Sequence, residues 1–262
     1  MLMFKTIIKE IIEWILLIFG FLYWIVFGFS ISLVSRVLYV ILPPKKGILW
    51  GQYLLQKMFV VFIGYLKITH LLQLEDKQLS ILAKQKGAAI IAPNHTALWD
   101  AIFIAHRIPD ILCIMKGSIL KNPILGGGAR LAGYIPNNST SQMLKLAISR
   151  LQAQDRLLIF PEGTRTKTEA QWLNPLKGGT ALLAKHSGAP VIPIFIRSNT
   201  RFFEKGWPLY KKPKFPLKIS IHVAEPVWIE KNESSQAFTQ RLEQLYLKEL
   251  SSPHRLQRIP YE

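Results

Sequence analysis

Two residues, His95 and Asp100, carry the side chains of a proton-transfer pair within Asn94-His95-Thr96-Ala97-Leu98-Trp99-Asp100. Five positions correspond to about 500° of helical rotation, so the pair would not share a face if both residues were helical. His95 is therefore expected in a connection, where its ring can turn back toward Asp100 in the first turn of a following helix. A carboxylate on one ring nitrogen fixes the tautomer and leaves the other free to take a proton from a hydroxyl. The same spacing alone also suits a capping or core histidine.

A second polar block, Phe160-Pro161-Glu162-Gly163-Thr164-Arg165, follows the apolar run Leu157-Leu158-Ile159. Such a loop exposes backbone N–H groups beside a planar guanidinium, and both suit phosphate oxygens. On its own it also reads as a polar turn with a solvated arginine.

The two blocks in this order, followed by Lys177-Gly178-Gly179 and Val191-Ile192-Pro193, resemble the glycerolipid acyltransferases, specifically the 1-acylglycerol-3-phosphate (lysophosphatidic acid) acyltransferase family. The resemblance runs from about Ala88 to Arg197. It implies that His95 is the catalytic base and Asp100 its orienting partner. It places Glu162, Gly163, Thr164 and Arg165 at the acceptor-phosphate site, with Lys116 as a further cation there. It also implies transfer of a fatty acyl chain from acyl-CoA or acyl carrier protein, as co-substrate, to the free hydroxyl of a lysophospholipid. The expected acceptor is 1-acylglycerol-3-phosphate and the expected product phosphatidic acid. The match is incomplete at Gly133–Ser141. The family usually has an arginine a few residues after this glycine, whereas Asn137-Asn138-Ser139-Thr140-Ser141 is uncharged. A different lysolipid headgroup, such as an ornithine-type lipid, therefore stays open, as do a thioesterase using water and a non-catalytic protein that binds membranes or acyl carriers.

The elements that must position these residues follow from apolar runs separated by polar breaks. Ala88–Ala92, Ile111–Met115, Leu157–Phe160, Pro190–Ile196 and Leu217–Val223 read as strands, with Pro193 at an edge or bulge. Gln142–Gln154, Thr180–His186 and Ser234–Leu250 read as helices. The expected fold is α/β, a central mostly parallel sheet flanked by helices, with chemistry at the carboxyl ends of the strands. If the strands carrying His95 and Lys116 were neighbours, Lys116 would lie near His95. Gly126-Gly127-Gly128 is not a nucleotide loop, because Leu131 occupies the third glycine position of the dinucleotide pattern and no GxxxxGK[ST] occurs. Close helix packing or a bend is the expected purpose. His106 and His186 lack a carboxylate at useful spacing and read as surface or helix-end residues.

The chain carries 33 Lys and Arg against 16 Asp and Glu, a net charge of +17, and 50% of its residues are hydrophobic. A nucleic-acid binder would share the charge but not the long apolar N-terminus, so anionic membrane lipids are the expected partner and nucleic acid is not. From Trp14 to Val34 there is no charged side chain. That length suits a spanning helix, while Gly20, Gly28 and Pro43-Pro44 suit a hairpin dipping into one leaflet. The expected division is an anchoring helical segment over 1–50 and a catalytic domain over 51–262. Flanking lysines and arginines do not fix orientation. The family resemblance implies a membrane-associated protein with its catalytic domain on the cytoplasmic face of the inner or plasma membrane. No small-x-small site closes the apolar run as a cleaved signal peptide would require.

Leu54–Leu66 suits a core helix or an interfacial one. Between Arg197 and Lys218, seven basic residues (Arg197, Arg201, Lys205, Lys211, Lys212, Lys214 and Lys218) interleave with aromatics, a composition suited to a headgroup layer. Cys113, the only cysteine, lies in an apolar run and reads as a core residue, so no acyl-cysteine step is expected. No His/Cys/Asp/Glu cluster has metal-ligand spacing, and no cofactor is expected.

Overall fold

The computed structural model describes residues 2–167, 170, 172–200, 202–208, 210–253 and 256. Seven strands form one sheet: β1 (Leu72–Glu75), β2 (Ala89–Pro93), β3 (Ile111–Met115), β4 (Ile135–Pro136), β5 (Arg156–Leu158), β6 (Val191–Ser198) and β7 (Leu217–Val223). Their order is β1-β7-β6-β2-β5-β3-β4. Every neighbouring pair is parallel except β6 with β7. β2 is buried at all five positions, as expected of a strand covered on both faces. Because β1 and β7 run against the rest, their starts share a sheet edge with the carboxyl ends of β2, β5 and β3.

Pro193 sits in a central strand rather than at an edge. The β6–β7 register shifts by one residue between the Ile194–Val223 pair and the isolated Val191–Val227 bridge. The proline's missing N–H therefore falls at a bulge, and its carbonyl still accepts from the Ala224 N–H.

The helices are α1 (Leu2–Ile41), α2 (Pro44–Ile68), α3 (Lys77–Leu82), α4 (Asp100–Ala105), α5 (Gly126–Leu131), α6 (Thr140–Gln152), α7 (Gly179–Ser187) and α8 (Ser235–Ser251). A 3₁₀ turn covers Gly117–Lys121. α2 buries Leu55, Met58, Phe59, Phe62, Ile63 and Leu66. These positions mark one helical stripe, and α2 is thus a core helix. Phe62 is fully buried and contributes about 2–3 kcal/mol by removal from water. α6 starts where Ser139 accepts a hydrogen bond from the Gln142 N–H, a side-chain cap.

α1 is unbroken from Leu2 to Ile41, so Gly20 and Gly28 do not divide it. The chain turns only at Leu42-Pro43, and α2 returns antiparallel to α1. The Tyr65 hydroxyl donates to the Leu16 carbonyl at 2.6 Å, and the Tyr23 hydroxyl to the Met58 carbonyl at 2.8 Å. A division at residue 50 would run through α2.

Gly28 of α1 and the glycines of α5 serve close approach. A Cβ on Gly127 would stand 2.1 Å from the Ser32 carbonyl oxygen. The Gly127 N–H donates to Ser32 Oγ at 3.0 Å instead. On its other flank α1 exposes Ile11, Ile15, Ile18, Leu22, Ile25 and Phe29. By length and composition α1 and α2 could each cross a membrane.

Candidate active site

Asn94 ends β2 by replacing a peptide unit. Its Oδ1 accepts the Ile196 N–H at 2.6 Å and its Nδ2 donates to the Ile196 carbonyl at 3.0 Å. β6 keeps its hydrogen bonds while the chain after Asn94 leaves the sheet. His95 thus enters a connection, and Asp100 opens α4, as the spacing requires. The buried side-chain role of Asn94 carried no separate signal in the sequence.

His95 Nδ1 lies 3.0 Å from Asp100 Oδ2. Asp100 is 1% exposed, and its Oδ2 also accepts the Ala97 N–H at 2.8 Å. The carboxylate is therefore aimed by backbone as well as by the ring. A carboxylate can only accept, so Nδ1 carries the hydrogen, and the neutral ring presents Nε2 as its acceptor. Nε2 has no protein partner among the described residues. The ring stacks on Phe160, centroids 3.8 Å apart and planes 18° from parallel. This contact brings the second polar block against the first.

Glu162, expected at the acceptor-phosphate site, hydrogen-bonds within the protein. Its side chain is buried, 1% exposed. Oε1 accepts the His95 N–H at 2.8 Å and Oε2 accepts the Asn174 N–H at 2.8 Å. The Thr166 hydroxyl lies 2.9 and 3.0 Å from the two oxygens. Burial pushes the Glu162 carboxyl up from its ordinary value, against the pull of those hydrogen bonds. Thr166 closes the link by donating its N–H to the His95 carbonyl at 2.6 Å. Glu162 thus holds the His95 connection. Asn174, which the sequence did not single out, also receives the Lys167 N–H and donates to the Arg165 carbonyl.

Gly163 and Thr164 are exposed at the loop tip. Gly163 has φ of +68°, a left-handed conformation that favours glycine. Arg165 is half-buried. Its Nη1 donates to the Phe203 carbonyl at 2.7 Å and to that of Glu204 at 3.2 Å. Nε and Nη2 have no protein partner among the described residues.

Lys116 is exposed at the carboxyl end of β3, but β5 separates β3 from β2. It therefore lies two strand spacings, about 10 Å, from the strand that leads to His95. Its nearer neighbour is the loop after β5. The uncharged block lies beside it, since the Asn137 N–H donates to the Met115 carbonyl and Asn138 packs on Gly117.

Other expectations also change. His106 stands at the end of α4, one of the two places expected, but it is buried, and its carboxylate comes from 30 positions upstream. Nε2 lies 2.9 Å from Asp76 Oδ2 and Nδ1 lies 2.9 Å from the Phe103 carbonyl. Burial would raise the Asp76 carboxyl, but hydrogen bonds from His106 and Arg107, with the charges of Lys67 and Arg107, hold it far below the usual carboxylate range. The basic stretch after Arg197 is divided. Arg197 is buried and bound to Glu249, and Lys212 pairs with Glu10 and Glu13 of α1. Phe202 and Phe203 pack around Trp99 in the core. Tyr210 is fully exposed, and Arg201 lies outside the described residues. Cys113 is buried, which pushes its thiol up to about 12. Among the described residues no three His, Cys, Asp or Glu side chains group so as to hold a metal ion.

A His–Asp pair thus stands at a strand's carboxyl end, braced by a buried glutamate from an arginine-bearing loop. Residues 74–197 match the family model described as Acyltransferase. The chain is similar to the 1-acyl-sn-glycerol-3-phosphate acyltransferase of Helicobacter pylori, 26% identical over 62% of this chain and 70% of that protein. It is likewise similar to the mouse 1-acyl-sn-glycerol-3-phosphate acyltransferase alpha, 29% identical over 63% of this chain and 62% of the relative. An uncharacterized acyltransferase of Schizosaccharomyces pombe is 28% identical over 64% of this chain and 62% of its own. The chain thus spans about three-fifths of the length of two of these three relatives. In fold it resembles the crystal structure of the 1-acyl-sn-glycerophosphate acyltransferase PlsC from Thermotoga maritima. That likeness has a TM-score of 0.64 at 19% identity and covers 94% of this chain and all of that one.

Proposed function

We propose that this protein transfers a fatty acyl chain from a thioester, acyl-CoA or acyl carrier protein, to the free hydroxyl of 1-acylglycerol-3-phosphate. The observation that carries this reading is the 3.0 Å contact between His95 Nδ1 and Asp100 Oδ2, which leaves Nε2 free beside the arginine-bearing loop. Nε2 takes the acceptor's hydroxyl proton as that oxygen bonds to the thioester carbonyl carbon. The C–S bond then breaks, and the departing thiolate takes the proton from the imidazolium. Asp100 stabilises the imidazolium in between. General-base help of this kind supplies on the order of 10²–10⁴-fold, and positioning the two lipids supplies much of the rest. Arg165, Lys116 and the tip residues Gly163 and Thr164 face the acceptor's phosphate, while Glu162 holds the base in place.

The apolar hairpin brings both lipids within reach of this site. α1 touches the rest of the protein from Glu13, paired with Lys212, to Ser32 against Gly127. That stretch is about 30 Å of helix, the full depth of the hydrocarbon layer. An upright α1 would drag the catalytic domain into the bilayer. The helix pair therefore lies along the membrane surface with its outer flank immersed in one leaflet. Catalysis takes place on the cytoplasmic face.

Purified protein offered a panel of lysolipids with both donors, read by product mass, tests the reaction. Phosphatidic acid from wild type and none above background from folded His95→Ala is the expected result. Product formation by His95→Ala at the wild-type rate would remove the pair from the mechanism. Fatty-acid release without any lysolipid would replace transfer by thioester hydrolysis.

A further inference from the structure

Arg165 alone is a weak grip for a phosphate dianion. Its Nη1 is spent on two backbone carbonyls, and only Nε and Nη2 remain for a ligand. Gly163, two residues earlier, shows what else stands there. A Cβ built on Gly163 would lie 2.8 Å from Lys177 Cδ and 3.0 Å from both Cε and Nζ. The lysine side chain therefore runs across the face of Gly163, in the space a larger residue would fill. Its backbone is fixed by the Lys177 N–H donating to the Pro161 carbonyl at 2.9 Å. Pro161 follows Phe160, the ring stacked on His95.

Lys177 is exposed, and its Nζ has no ion pair or hydrogen bond among the described residues. Among the described residues, the two adjacent carboxylates are committed elsewhere. Glu162 is buried under its own donors, and Glu243 accepts the Leu176 N–H at 2.8 Å. Gly178 and Gly179 face open space, with nothing within 4 Å of a Cβ built on either. A free ammonium thus lies against the loop that bears Arg165, with room beside it for a ligand.

We propose that Lys177 is a specificity-determining residue, the cation that pairs with Arg165 to select an acceptor bearing a phosphomonoester over an uncharged one. The inference rests on the acyl-transfer reading above and names a further group, beside Arg165 and Lys116, that reads the acceptor's headgroup. The ammonium acts as a point charge on the dianion while the remaining guanidinium N–H groups set its orientation. The contact exists in the ground state and in the transition state alike, so its loss raises KM rather than lowering kcat.

The test uses the full chain in detergent or nanodiscs. Initial rates are measured for wild type, Lys177→Gln and Lys177→Arg with 1-acylglycerol-3-phosphate and with uncharged 1-acylglycerol. A charge-assisted contact is worth roughly tenfold to hundredfold in binding. Lys177→Gln should raise KM for the phosphorylated acceptor by about that factor and cut the preference for it over the uncharged one equally. Lys177→Arg should recover most of the loss. A parallel binding measurement compares the Kd of 1-acylglycerol-3-phosphate for His95→Ala with that for the His95→Ala, Lys177→Gln double variant. It reads the contact without turnover. Should wild type acylate neither acceptor, the acyl-transfer reading fails, and the Kd ratio alone decides the role of Lys177. An unchanged Kd, an equal KM rise for both acceptors, or a rise confined to the thioester donor would overturn the assignment.

Discussion

Asp100→Asn separates charge from geometry at the proposed base. In the structure, the Ala97 N–H donates to Asp100 Oδ2 at 2.8 Å, the same oxygen that receives His95 Nδ1 at 3.0 Å. An asparagine that keeps its carbonyl oxygen there still accepts both hydrogens, whereas the flipped amide would face two donors. The tautomer and orientation of His95 therefore survive, and the negative charge facing the transient imidazolium is lost. Two unit charges 3.0 Å apart attract by about 5–6 kcal/mol at an effective dielectric of 20. His95 keeps 17% of its side chain exposed, so solvent screens part of this, leaving about 2–4 kcal/mol. That corresponds to a fall in kcat of roughly 30- to 1000-fold. Steady-state acylation with both substrates varied would measure it, and thermal unfolding would confirm that the fold is kept. A kcat within threefold of wild type, or a loss confined to KM, would refute the role given to the carboxylate.

Two further outcomes follow from buried carboxylates. Glu162→Gln places an amide N–H₂ against either the His95 or the Asn174 N–H, both now 2.8 Å from an acceptor. It should cost about 1–3 kcal/mol in urea unfolding and lower kcat at least tenfold as the connection shifts; full activity would detach Glu162 from positioning. Asp76 has its folded carboxyl far below its unfolded value, so it stabilises the fold above about pH 4 and loses that contribution as pH falls. Asp76→Asn should be about 2–3 kcal/mol less stable than wild type at pH 7, with the gap narrowing at pH 3. Equal gaps at both pH values would contradict the linkage.

β2, β3, β5, β6 and β7 were legible because each is a short apolar run between polar breaks, and Ile111–Met115 and Leu217–Val223 appear with the bounds the sequence suggests, whereas β1 and the two-residue β4 are no such runs. Strand order was not, because pairing between parallel strands is set by distant contacts. β5 enters between β2 and β3 and moves Lys116 from His95 toward the Phe160 loop. The glycines of α1 suggested breaks that packing overrides. Each costs about 1 kcal/mol in a helix, less than the contacts of α1 with α2 and α5 return. The His95–Asp100 pair was readable from its spacing only together with the second polar block, and the spacing fits because a residue just outside a helix can meet one in its first turn. The inward turn of Glu162 was not readable, because its donors come from residues 95, 166 and 174, which only the fold brings together.

The central claim is that one bound lysolipid reaches the base and the cationic loop at once. A structure of the protein with 1-acylglycerol-3-phosphate and a non-hydrolysable thioester analogue measures this directly. The account expects the acceptor's free hydroxyl oxygen within about 3.2 Å of His95 Nε2 and its phosphate on Arg165. A phosphate seated elsewhere, or a hydroxyl directed away from the ring while the phosphate sits on Arg165, would contradict it.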